Sequence, residues 1–165
     1  MKRFIVLLII LCLSVACIAT RENRYTSNVF DADLPEHFTR VANTDIVCFA
    51  PYGNPLHSSS ITYYETELNW YFDSFTSSEY ENALRELCGF ETLTFVDLQT
   101  CRVDSYDARR ISCSVEIDQG IHSLIIYAIQ GQKTYFFTLL NRDSDSYIDA
   151  FDEMMKTIDL KETQL

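Results

Sequence analysis

The sequence predicts an α+β domain: an antiparallel sheet of about six to seven strands with two helices packed on its faces. Three observations predict it. Strand-like and helix-like segments are segregated along the chain, in the order strands, helix, strands, helix. The later strands are joined by turns so short that only antiparallel pairing fits them. The last two strand segments, 124–129 (LIIYAI) and 135–140 (YFFTLL), are apolar on both faces. Strands of that kind belong in the middle of a sheet covered on both sides.

In chain order, the first segment is an address. Lys2-Arg3 is a positive n-region, and 4–13 is an apolar run of about ten residues, too short for a comfortable membrane span. Ser14-Val15-Ala16 and then Cys17 follow. This stretch resembles a bacterial lipoprotein signal, in which a cysteine after small residues is lipidated and becomes the new N-terminus. Such signals usually carry Leu three residues before the cysteine; here that position is Ser14, with Leu13 one earlier. Ordinary cleavage after Ala16 or Ala19 is the alternative. The expected organisation is a signal over 1–16, a polar tether over 17–27, the α+β domain over 28–160 and a short tail over 161–165.

Within the domain, Val29-Phe30 reads as a short first strand, and 34–38 (LPEHF) as an irregular proline turn. The segments 45–50 (DIVCFA) and 60–67 (SITYYETE) read as strands, separated by a turn carrying Pro51, Gly53-Asn54 and Pro55. Thr76 and Glu79 stand in capping-box spacing. Tyr80, Leu84, Leu87 and Cys88 then fall on one helical face, and Gly89 follows where a left-handed cap is common. Next come strands over 93–103, 106–117, 122–129 and 133–140, turned at Asp104-Ser105, Asp118-Gln119-Gly120 and Gly131-Gln132. A second helix is expected over 144–158, with Ile148, Phe151, Met154, Met155 and Ile158 as its apolar stripe.

The chain has 165 residues, and about 145–149 remain after a signal, enough for one core that buries roughly two thirds of the unfolded surface. Losing Lys2 and Arg3 takes the formal net charge from -11 to -13. That field repels phosphate backbones and anionic bilayers, so nucleic acid is excluded as a partner and membrane attachment falls to the N-terminus.

The element order, with Phe30-x-x-x-Leu34-Pro35-Glu36-x-Phe38 at its start and Tyr147-x-x-x-Phe151 in the last helix, resembles the PsbP-like fold over residues 28–160. The family spans a photosystem II extrinsic protein, a Ran-binding import factor and many small bacterial lipoproteins. It usually has glycine where this chain has Asp104-Ser105. The resemblance implies a sheet with helices on its faces. It carries over no functional residue.

Chemistry-bearing residues are sparse. Cys48, Cys88, Cys101 and Cys113 permit two disulfides in an oxidising compartment, in any of three pairings. No Cys/His spacing of zinc type is present, so no metal site and no cofactor is expected. A Cys/His nucleophile–base pair is conceivable, for example Cys48 with His57, set against a buried structural cysteine. Asp143, Asp145, Tyr147 and Asp149 alternate like the start of a calcium loop, but Ile148 and Met154 stand where an EF-hand needs Gly and Glu. Arg109-Arg110 reads as surface charge or as a partner for the acidic excess, and Asp152-Glu153 as a solvated helix face. Trp70, Tyr71, Phe72 and Phe75, with Tyr52 and His57 from the neighbouring turn, form the expected partner surface; the competing reading is that these aromatics plug the sheet–helix junction.

The expected function is that of a non-enzymatic binding or accessory domain in the cell envelope. It would be held at the membrane by a lipid on Cys17, or secreted after ordinary cleavage, and would meet an envelope protein or ligand. An envelope or secreted hydrolase and a calcium-dependent structural module are the alternatives.

Overall fold

The computed structural model describes residues 23–44, 46–56, 58–67, 76–143 and 146–161. Within them the order is β1 (Arg24–Thr26), β2 (Phe30–Asp33), β3 (Phe38–Arg40), β4 (Val47–Pro51), β5 (Ser60–Thr66), α1 (Ser77–Cys88) and β6 (Leu93–Val103). Then follow β7 (Tyr106–Ile117), β8 (Gly120–Gln130), β9 (Thr134–Asn141), α2 (Ile148–Met155) and β10 (Asp159–Leu160). Seven strands form one antiparallel sheet in the order β3-β4-β5-β9-β8-β7-β6; β1, β2 and β10 form a second, small sheet with β2 in the middle.

The expected class, α+β with helices on the sheet faces, is the one observed. The doubly apolar strands β8 and β9 lie inside the large sheet, and their side chains alternate between two cores. Leu124, Ile126, Ala128 and Phe136 pack with Tyr80 and Leu84 of α1. Ile125, Tyr127, Ile129, Phe137 and Leu139 pack with Phe151, Met154 and Met155 of α2 and with Phe30 and Ala32 of the small sheet. All of these side chains are buried. At ~25 cal/mol per Å² of apolar surface, this two-sided burial is the dominant stabilising term.

Local signals act as the sequence predicts. The Thr76 hydroxyl accepts the Glu79 N–H, and the Glu79 carboxylate accepts the Thr76 N–H at 2.6 Å, closing the capping box of α1. Gly89 ends the helix in the left-handed region at φ 71°. Two-residue turns join β6 to β7 and β7 to β8. Asp118 and Gln119 both have positive φ (52° and 67°), as a type I′ hairpin turn requires.

Four expectations are corrected. The tether over 17–27 contains β1, whose Tyr25 pairs with Ala32 and packs its ring on Phe30 and Phe49. Phe38 opens a strand, β3, rather than closing the proline turn. The second helix, Ile148–Met155, is shorter than 144–158, and the segment leading into it is held by side chains. The Ser59 hydroxyl accepts the N–H groups of Arg142 (2.9 Å) and Asp143 (3.3 Å), and Asn141 Oδ1 accepts that of Tyr147 (3.2 Å). The helix also ends early, so that 159–160 can pair with β2 as a strand that periodicity did not signal. Lys161, placed in the tail, donates its N–H to the Val29 carbonyl and its ammonium to Asp31 at 2.6 Å.

Candidate functional site

Residues directly opposite one another across antiparallel strands share a face, so the register reads the sheet as rows. One row on the α2 face runs Gln99, Arg110, Tyr127, Phe137, Tyr63, Val47. It is apolar under the small sheet and turns polar over β6 and β7. There α2 leaves part of the sheet uncovered, and a cleft of about 700 Å³ opens. Gln99, Cys101, Arg110 and Tyr127 form its floor; Asp149, Asp152, Glu153 and Lys156 form the helix wall, with Arg102 at the β6 edge.

The centre of the cleft is a three-residue network. Arg110 Nε and Nη2 each donate to Asp152, at 3.0 Å to Oδ1 and 3.0 Å to Oδ2. The Tyr127 hydroxyl donates to the same Oδ1 at 2.9 Å, and Arg110 Nη1 donates to the Ser112 hydroxyl at 3.0 Å. A forked arginine–carboxylate pair is the strongest geometry available to these groups, and here it fastens α2 to β7. Burial, with donation to the Asp152 carboxylate, pushes the Tyr127 phenol far above its usual range, so it stays a donor at all ordinary pH. Burial also raises the Cys101 thiol, against the opposing pull of the Arg110 backbone N–H and the Arg109 and Arg110 charges. A raised thiol is a poor nucleophile. Charged groups at the rim, Arg102, Glu153 and Lys156, remain exposed. The cleft therefore offers fixed polar groups inside and solvent-exposed charges outside, where Lys156 pairs with Glu153 and Arg102 with Asp107, a surface suited to holding a polar partner.

The sequence did not point to this site, although the pairing of Arg110 with an acidic side chain is one of the two readings it offered. Asp152, expected on a solvated helix face, is paired with Arg110 and Tyr127. Arg109, expected at the surface, is buried at 8% exposure. The available signal was the polar face of β7: Arg110 and Ser112 sit opposite the apolar residues Ile111 and Cys113, and so must face the other helix.

The other expected site residues are dispersed. Tyr52 is exposed on the β3–β4 edge of the sheet, far from the cleft on the β6–β7 edge. It has positive φ (53°), and its ring stacks on His37, itself at φ 67°, with centroids 5.1 Å apart. Cys17, His57, Trp70, Tyr71, Phe72, Phe75 and Asp145 lie outside the described residues. Cys48, Cys88, Cys101 and Cys113 are free thiols. Cys101 packs on the α2 side and Cys113 on the α1 side, so these two are not a pair. Cys48 is buried with Val41 and Ala50, and burial raises its thiol. Asp143 accepts from the Ser59 N–H (3.1 Å) and hydroxyl (2.8 Å), which occupies Oδ2 in holding β5 to the segment before α2. Among the described residues no three His, Cys, Asp or Glu side chains are placed to hold a metal ion, and no helix is long and apolar enough to cross a membrane.

The fold that carries this cleft is the PsbP-like α+β fold. Cyanobacterial PsbP (CyanoP) from Synechocystis superposes with a TM-score of 0.60 at 11% identity, covering 83% of this chain and 91% of that one. LpqN of Mycobacterium tuberculosis, described as involved in cell envelope biogenesis, superposes at 0.52 with 10% identity, covering 78% and 81%. A protein of Bacteroides thetaiotaomicron superposes at 0.53 with 9% identity over 86% of this chain, which spans about half, 49%, of that protein's length. No protein-family model and no curated protein matches the sequence.

Proposed function

We propose that this is an exported cell-envelope protein that binds a polar partner in the cleft between α2 and the β6–β7 edge, without turnover, while a lipid on Cys17 tethers it to the membrane. The observation that carries the reading is the closed network of Arg110, Asp152 and Tyr127. The Arg110 and Asp152 charges neutralise each other and the Tyr127 phenol donates to the same carboxylate, so the centre of the cleft has fixed polarity and its carboxylate is tied up as an acceptor. The export reading draws support from Lys2-Arg3, the short apolar run and Ser14-Val15-Ala16-Cys17. The involvement of LpqN in cell envelope biogenesis agrees with it. Presentation on a tether also suits a domain that works by contact.

Two measurements test the reading together. Cys17→Ala should release the protein from membranes or stop its maturation, and labelled fatty acid should enter the wild type only. Purified mature protein should hydrolyse no ester, peptide or glycoside substrate. Turnover abolished by Cys48→Ala or Cys101→Ala would replace this reading with a hydrolase. Unchanged membrane retention of Cys17→Ala, with a mature N-terminus at Thr20, would remove the lipid anchor.

A further inference from the structure

On the opposite face of the sheet, the row running Leu98, Ile111, Ile126, Thr138, Thr62, Cys48 changes character halfway. It is apolar under α1 and becomes small and polar on β9, β5 and β4, beyond the helix. At this boundary, beside the C-terminal end of α1, lies a cavity of about 340 Å³. Leu87, Phe90, Leu124 and Leu140 give it apolar walls, and Tyr64 and Thr138 place hydroxyls in its lining.

Those two hydroxyls are the informative feature. Thr138 is 94% buried, with 6% exposure, and among the described residues its Oγ1 has no hydrogen-bond partner of good geometry; the buried Tyr64 Oη has none either. Tyr64 Oη lies within hydrogen-bonding influence of both Thr138 Oγ1 and the Cys88 thiol, but among the described residues neither contact has full hydrogen-bond geometry. A buried hydroxyl left unpaired costs ~1–3 kcal/mol, and folded proteins leave few such groups. Two in one cavity wall point to something outside the chain that pairs with them.

We infer that this cavity binds a small neutral molecule, mostly apolar and carrying one hydroxyl or carbonyl oxygen, such as a phenol or a compact alcohol. The size follows from the space: a cavity of ~150 Å³ holds one benzene ring, so this one suits about two fused rings. Neutrality follows from the lining, which among the described residues contains no Lys, Arg or His. The Cys88 thiol, pushed up to about 11 by burial, is uncharged as well. The oxygen is required by Thr138 Oγ1 and Tyr64 Oη, which each donate and accept.

The test uses 2-naphthol and naphthalene, which differ by one hydroxyl, titrated into the mature protein with fluorescence readout. The expected result is that 2-naphthol binds about three- to tenfold more tightly than naphthalene, the worth of one net hydrogen bond. Thr138→Val should shrink that ratio toward one while naphthalene still binds, and Leu140→Trp should abolish binding of both. Thr138→Val should also fold at least as stably as the wild type, because it removes an unpaired hydroxyl. Equal binding of the two probes, no binding of either, or a ratio unmoved by Thr138→Val would overturn the inference. A crystal structure with ordered water bridging Tyr64 and Thr138 in the presence of 2-naphthol would overturn it too.

Discussion

Arg110 of β7 and Asp152 of α2 face each other as a fork on a fork, two N–H donors meeting two carboxylate oxygens at 3.0 Å each. Both side chains are largely screened from solvent, at 14% and 28% exposure. The pair therefore sets the position of α2 over the sheet, and with it the width of the cleft. Arg110→Met should cost about 1.5–3 kcal/mol, the range for a hydrogen bond to a charged group. A double-mutant cycle with Asp152→Asn should give a coupling of about 1–2 kcal/mol in denaturant unfolding. Coupling near zero would mean that α2 is held by its apolar stripe alone.

Ile126 lies on the α1 face of β8 and is fully buried. Ile126→Ala should cost about 2–4 kcal/mol, for lost transfer energy and the cavity left behind. A cost below about 1 kcal/mol would show that α1 does not close over this face.

The two ends of α1 are fixed by different devices and should respond separately. Thr76→Ala removes the capping-box hydroxyl and should cost about 1 kcal/mol. At Gly89 nothing lies within 4 Å of where a Cβ would sit, so any penalty there is backbone strain alone. Gly89→Ala should cost about 1 kcal/mol for holding a left-handed φ, and Gly89→Asn less. The two effects should add, since the sites share no partner.

Glu65 accepts from Lys133 Nζ at 2.6 Å and from the Tyr63 hydroxyl at 2.9 Å. The Lys133 bond, against the effect of burial, holds its carboxyl below the ordinary 4.5. A carboxylate with a lowered folded value stabilises the fold above its ordinary value, and that stability is lost as pH falls through the folded one. The gap in melting temperature between wild type and Lys133→Met should be flat between about pH 6 and 9 and shrink from about pH 5 to 3. A gap unchanged down to pH 3 would show that the pair contributes nothing through charge.

Much of the fold was legible because its signals are local. Thr76, Glu79 and Gly89 mark α1 by capping chemistry, and the alternation in β7 marks its two faces. The two-sided apolarity of β8 and β9 required two covering layers, and two are found. Most of what escaped has a common cause. Asp159–Leu160 forms a strand only because β2, more than a hundred residues earlier, lies beside it, while Arg24–Thr26 is too short and polar to show a strand pattern before its pairing with β2 is seen. The start of α2 was misread because Ser59, eighty-odd positions earlier, accepts the N–H groups of Arg142 and Asp143 and holds the segment before the helix against β5. Asp152 looked solvent-facing because no helix-based periodicity reveals an arginine on a distant strand. The candidate site is composed almost entirely of such remote pairings, which is why the sequence pointed to the aromatic stretch and the 51–57 turn instead.

The central claim is that the α2–β6–β7 cleft is the working surface. The direct measurement is photocrosslinking in intact cells, with a photoreactive residue in place of Lys156 at the cleft rim, Tyr52 on the far edge, or Glu86 on the exposed side of α1. The account predicts a discrete crosslinked envelope component from position 156, weakened by Arg110→Met and absent from position 86. Crosslinking from position 52 or 86 alone, with the protein in place and position 156 silent, would contradict it.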